Sequence, residues 1–143
     1  MDDLLSGGAD PRSERGSLAL AYIGDAVYEL LTREELSREL LRTSDLHVKT
    51  VARVNAAAQS AAARAVYALL TPQEREVFRR ARNAKPHHAP QTASPGDYQQ
   101  ATALEAVFGW LYLGGDGARL RELFKLCREL SADTASPGSP MKE

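Results

Sequence analysis

A single cysteine, Cys127, among 143 residues leaves no internal disulfide to form. A reducing, cytoplasmic compartment fits that scarcity. With no second cysteine and no catalytic histidine pattern nearby, Cys127 reads as a core thiol and not a nucleophile. No apolar run approaches the ~20 residues that a membrane span needs. The N-terminus, Met1-Asp2-Asp3, is acidic, whereas a signal peptide begins with positive charge. Convincing strand alternation is missing, as is any internal repeat. An excess of charge is missing too, since the formal net charge is −1.

That neutrality hides an uneven distribution. Residues 1–48 carry five arginines against ten acids, and residues 86–143 carry five bases against seven acids. Residues 49–85 carry eight Lys/Arg against two acids. Attraction to a polyanion depends on the local field, so a neutral chain with a basic middle remains a candidate for nucleic acid.

The length suits one domain with a real core. Residues 1–16 hold Gly7, Gly8, Pro11 and Gly16 among polar residues and read as a flexible N-terminus. Residues 131–143, rich in Ser, Pro and Gly, read as a disordered tail. The body, 17–130, reads as all-α, because long stretches lack Pro and Gly and are rich in Ala, Leu, Arg and Glu. Ser17 is a candidate N-cap for a first helix reaching about Leu40. Its expected core stripe is Leu20, Ile23, Val27, Leu30 and Leu31. A second helix is expected from Thr43 or Ser44 through to Leu70. Thr71-Pro72 caps a third, ending near Ala84, with Glu74 and Glu76 in its first turn. Lys85 to Gly96 holds three prolines and breaks regular structure. A fourth helix is expected from about Asp97 to Leu113, stopped by Gly114-Gly115, and a last one from Asp116 to about Leu130.

Two acids stand out on helical wheels. At 100° per residue from Leu18, the stripe occupies about 120–220° and Asp25 falls near 340°, beside Leu18, Tyr22 and Glu29. Measured from Tyr98, Glu105 also falls near 340°, beside Ala101, Thr102, Gly109 and Tyr112. Glu105 is the only acid between Tyr98 and Leu113, among small residues that let another helix approach closely. Two carboxylates from two packed helices suit Mg²⁺ or Mn²⁺. Spacing alone equally allows each acid a salt bridge or a solvated face. Glu29 can support a metal site through water or pair with an arginine. Tyr22 and Tyr98 share the acids' side of their helices and are candidate site neighbours.

The run Leu18-Ala19-Leu20-Ala21-Tyr22-Ile23-Gly24-Asp25-Ala26-Val27-Tyr28-Glu29 resembles the signature helix of the ribonuclease III family. Ala101 to Tyr112 resembles that family's second catalytic helix. Leu46-His47, Val54-Asn55-Ala56 and Arg82-Asn83-Ala84-Lys85 resemble its small bacterial branch, the Mini-ribonucleases III. The resemblance spans about residues 17–130. It implies the family's helical endonuclease fold, without a separate double-stranded-RNA-binding domain. It also implies a homodimer that cuts both strands of duplex RNA with Mg²⁺, or Mn²⁺ as substitute, leaving 5′-phosphate and 3′-hydroxyl ends. The implied substrate is the 23S ribosomal RNA precursor stem, with ribosomal proteins as candidate partners. Asp25 and Glu105 match the catalytic, metal-associated acids. Larger family members carry further acids where this chain has Ala21 and Thr102, each one helical turn from its acid. Ala81 stands where the Mini branch usually has Gly.

Arg79, Arg80, Arg82, Asn83 and Lys85, followed by His87 and His88 in a proline-bounded loop, are expected to contact RNA phosphates. Cations at a helix C-terminus also offset its dipole by about 0.3–1 kcal/mol each, which accounts for one or two of them. Duplex RNA is read mostly through shape, phosphates and 2′-hydroxyls, which a basic loop suits. Two rival readings are a non-catalytic RNA-binding or ribosome-associated domain on the same fold, and a helical protein–protein adaptor.

Overall fold

The structure is a computed structural model that describes residues 10, 12, 15–39, 41–85 and 94–135, with side chains to Ser131. It has six α-helices and no strand among these residues, as the all-α expectation required. They are α1 (Ser17–Leu36), α2 (Thr43–Val54), α3 (Ala56–Val66), α4 (Pro72–Asn83), α5 (Pro95–Leu113) and α6 (Gly117–Ala135), with a 3₁₀ turn at Tyr67–Leu69.

Local chemistry explains most boundaries. Thr71 accepts from the Glu74 backbone N–H while the Glu74 carboxylate accepts from the Thr71 N–H, and Pro72 occupies the first turn. Ser94 caps α5 ahead of Pro95, two residues earlier than expected. Gly115, at φ 74°, supplies the left-handed residue after α5, and Asp116 accepts from the Arg119 N–H to start α6.

Four expectations are corrected. Ser17 is the first helical residue and not the cap, which falls on Gly16 without a side-chain bond. The first helix stops at Leu36, short of Leu40. The long second helix is two helices, because Asn55 leaves helical geometry (ψ 165°) and its side-chain oxygen accepts from the Ala58 N–H. Its Nδ2 meanwhile donates to the Val51 and Ala52 carbonyls, so one residue closes α2 and opens α3. The last helix runs five residues beyond Leu130, to Ala135, since nothing before Pro137 breaks it.

The middle of the fold is α5. Nine of its residues are buried, from Ala101 to Leu111, because α1, α3, α4 and α6 all pack on it. A helix so enclosed needs to be apolar all round. An edge-to-face aromatic cluster joins three helices: Tyr28 meets Phe108 at 5.0 Å and Phe124 at 5.4 Å between ring centroids. Below the 3₁₀ turn, the buried Glu74 carboxylate accepts from Arg119 Nε and Nη2, at 2.9 and 2.8 Å. Burial pulls Glu74 upward, but Arg119 and the Thr71 contacts outweigh it and hold the group ionised. Ala81 is fully buried against the core, so its methyl is accommodated where a glycine was the expected residue.

The α1 stripe is turned from the expected one. Leu20, Ala21, Gly24, Val27, Tyr28 and Leu31 are buried, whereas Leu30 is 65% exposed. The closest approach of α5 falls at Gly24, which rotates the buried arc toward the small residues and away from Leu30.

Candidate active site

The α1–α5 crossing is made of backbone. A Cβ added to Gly24 would lie 1.6 Å from the Glu105 carbonyl oxygen, and one added to Gly109 2.0 Å from the Leu20 carbonyl oxygen. Two glycines facing opposite backbones let the helix axes come nearer than any side chain allows. The residue after Gly24 is Asp25, and Glu105 lies one turn before Gly109 on α5. The crossing therefore brings the two acids together.

Glu105 and Asp25 meet at the cavity they both line. Burial, followed by the Asp25 charge and the approach of its carboxyl, pushes Glu105 up to about 9; the Gln59 amide pulls the other way. Two carboxyls in one site favour a protonated Glu105 when no cation separates them. Asp25 itself is solvent-exposed.

Both acids open on a cavity of about 380 Å³, along with Ala21, Tyr22, Gln59, Tyr98 and Thr102. Ala21 and Thr102 are buried, at the positions one turn from each acid. The donor set is accordingly two carboxylates and no more: no group of three or more His, Cys, Asp or Glu that could hold a metal exists among the described residues. A two-carboxylate set suits Mg²⁺, which keeps several waters and takes further oxygens from substrate phosphates. A carboxyl kept protonated by a neighbouring carboxylate is also the group a divalent cation would ionise. The residues present fit such an ion.

Glu29 does not join the pair. It lies one turn on along α1, where Arg33 donates to it at 2.8 Å, the arginine alternative of the two expected for it. Tyr22 and Tyr98 line the cavity too. None of the described residues of the basic cluster lines it. Arg79 and Arg80 both donate to Glu76, at 2.8 and 2.7 Å, so that three charges present a net +1. Arg82 is half-buried at the end of α4, and Asn83 and Lys85 are exposed beyond it. Arg80 borders a separate groove with Arg12 and Trp110, where the Arg12 guanidinium stacks 4.4 Å from the indole centroid. His87 and His88 lie outside the described residues. Cys127 is fully buried and its thiol is pushed up to about 12, in keeping with an inert core residue.

Gln59 is the site residue that sequence reasoning missed. It is 2% exposed on α3 and lines the acid cavity. Its only trace in the sequence is a long amide in an otherwise small, alanine-rich helix.

On the outer side of α1 runs a second, larger groove. Tyr22 (82% exposed), Leu30 and Tyr112 form an apolar face there, bordered by Asp25, Glu29 and Arg33. No helix among the described residues is long and apolar enough to cross a membrane.

Residues 18–116 match the family model described as the Ribonuclease III domain. The chain is 46% identical to a protein of Symbiobacterium thermophilum named Mini-ribonuclease 3, over 76% of this chain and 84% of that one. It is 41% identical to the Mini-ribonuclease 3 of Clostridium tetani, over 82% and 80% of the two chains. Among solved structures, a protein from Fusobacterium nucleatum superposes with a TM-score of 0.73 at 28% identity, over 80% of this chain and 92% of that one.

Proposed function

Because the chain belongs to the ribonuclease III family, in its Mini-ribonuclease 3 branch, we propose that it is a homodimeric, metal-dependent endoribonuclease of the cytoplasm. Its substrate is double-stranded RNA, a stem of the 23S ribosomal RNA precursor, with ribosomal proteins as accessory partners. The observation that carries the reading is the carboxyl pair Asp25–Glu105, held by the glycine crossing and open to a cavity.

Asp25 and Glu105 are the residues that would hold Mg²⁺, or Mn²⁺ in its place. When bound, such an ion supplies a phosphate-polarising charge and a water of lowered pKa. With such an ion held there, both carboxyls would be ionised, the Glu105 proton passing to solvent. No side chain is needed as nucleophile. Water attacks phosphorus and the bond to the 3′ oxygen breaks, which leaves a 5′-phosphate and a 3′-hydroxyl. Tyr98 and Thr102 shape the cavity wall beside Glu105. Arg79, Arg80, Arg82, Asn83 and Lys85, with His87 and His88, hold the RNA backbone outside the cavity. The apolar face of Tyr22, Leu30 and Tyr112 supports pairing with a second copy, because two-fold symmetry gives one carboxyl pair per RNA strand.

A direct test is cleavage of a ribosomal-precursor stem with Mg²⁺ or with EDTA, with product ends mapped. Wild-type protein should cut only with metal. Asp25→Asn and Glu105→Gln should keep normal helicity and lose cleavage, and the double variant should be little worse than either. Duplex binding without cleavage by the wild type would instead favour a non-catalytic RNA-binding domain, the reading suggested by the small residues at Ala21 and Thr102.

A further inference from the structure

Gln59 Nε2 is buried and reaches no acceptor in full hydrogen-bond geometry among the described residues, although its amide is close enough to the Glu105 carboxyl to pull that group downward. Glu74, the other long polar side chain buried among the described residues, is met by Arg119 and Thr71. Leaving an amide donor buried and unpaired costs the full penalty of taking it out of water. A methionine or leucine would fill similar space on α3 without that cost. The side chain is not in a closed core, however. It borders the cavity that holds Asp25 and Glu105, and its amide lies against the Glu105 carboxyl.

Gln59 lines the same cavity as Asp25 and Glu105. A carboxylate that holds a cation through one oxygen leaves the other to a neighbouring donor. We infer that Gln59 is a positioning residue of this centre: its Nε2–H donates to the Glu105 carboxylate and fixes that carboxylate's orientation toward the cation. The inference rests on the metal-site reading above. It adds a donor outside the ligand pair, the kind of group whose removal weakens metal binding about 10- to 100-fold.

The test uses the full chain without RNA. Mn²⁺ binding is followed by the loss of free-ion paramagnetic resonance signal for wild type, Asp25→Asn, Gln59→Met and Gln59→Leu. Melting temperature is measured in EDTA on the same samples. Wild type should bind Mn²⁺ in a manner abolished by Asp25→Asn. Both Gln59 variants should melt in EDTA at or above the wild-type temperature, yet bind Mn²⁺ about tenfold more weakly or worse. On duplex RNA their kcat at fixed Mg²⁺ should fall while KM for RNA stays unchanged. Wild-type Mn²⁺ affinity in both variants overturns the role of Gln59 while leaving the metal site standing. Loss of the fold in both variants in EDTA overturns it too, by making Gln59 structural. Absence of Asp25-dependent Mn²⁺ binding in the wild type removes the metal site, and this inference with it.

Discussion

Gly24 lies so close to the Glu105 carbonyl oxygen that a methyl group on it would sit inside that oxygen's van der Waals radius, at 1.6 Å. The neighbour is backbone in mid-helix, so no side chain can swing aside. Gly24→Ala should cost about 3 kcal/mol by forcing α1 and α5 apart. It should also separate Asp25 from Glu105 and so reduce cleavage beyond the loss of folded protein. Gly117→Ala is the control, because that position is open, and it should leave stability unchanged or slightly raised. Chemical denaturation of both variants checks the contrast; equal stability would show that the crossing yields freely.

The carboxyl pair makes a distinct prediction about pH. Burial and the neighbouring Asp25 charge push Glu105 up to about 9 in the folded chain, from the ordinary 4.5 of an exposed glutamate. The folded state therefore holds a proton that the unfolded state has lost between those two values. Its contribution to stability is full below about pH 4.5 and disappears as pH rises through about 9, with a slope of at most about 1.4 kcal/mol per pH unit. Melting temperature in EDTA should decline across that window more steeply for wild type than for Glu105→Gln, which carries no titrating proton. Added Mg²⁺ should flatten the wild-type decline. Parallel curves for the two proteins would refute the assignment.

Glu76 restrains the basic segment by pairing with both Arg79 and Arg80. Glu76→Gln should tighten duplex RNA binding and steepen its salt dependence, whereas Arg82→Ala and Lys85→Ala should weaken binding and flatten the log–log slope by roughly one unit each. The latter two should raise KM more than they lower kcat. A fall in melting temperature of under about 1 kcal/mol equivalent with unchanged RNA affinity would mark the cluster as serving the helix dipole alone.

Leu30 is apolar, 65% exposed and lines the same groove on the outer face of α1 as the still more exposed Tyr22. Leu30→Glu should leave helicity and melting behaviour nearly untouched in the monomer and shift light-scattering mass from dimer to monomer at micromolar concentration. Wild-type protein that is monomeric and fully active under the same conditions would contradict the dimer.

The helical class, the Thr71-Pro72 start and the Gly114-Gly115 stop were legible in local chemistry or in one helical period. The pairing of Asp25 with Glu105 was legible through the family resemblance, since spacing alone left each acid a salt bridge or a solvated face. Gly109, among the small residues beside Glu105, allowed the close approach of another helix. What escaped depends on choices that tertiary structure makes. Asn55 sits in a stretch free of Pro and Gly, and nothing local decides whether it stays helical or becomes a cap. Leu30 has the right period for the core, but α5 lands on the glycine side of α1. Gln59 is unremarkable by composition, and only packing shows that its amide is buried at the acids' cavity. The pairings of Glu29 with Arg33 and of Glu76 with Arg80 follow the four-residue spacing and could have been read earlier.

Thr50 is the only residue of α2 that is buried, while Val48 and Val51 face outward. Asn55 fastens α2 to α3 at a break and not through a continuous helix. Helices so lightly anchored open at a fraction of the free energy that unfolds the whole domain. Amide protons of α2 should therefore exchange with solvent far sooner than those of α5, at a rate set by this local opening. Val54, at the end of α2, is part of the rim of the acid cavity. One part of the entrance thus rests on the helix expected to open first, while the carboxyls stand on α1 and α5, which that opening leaves packed together.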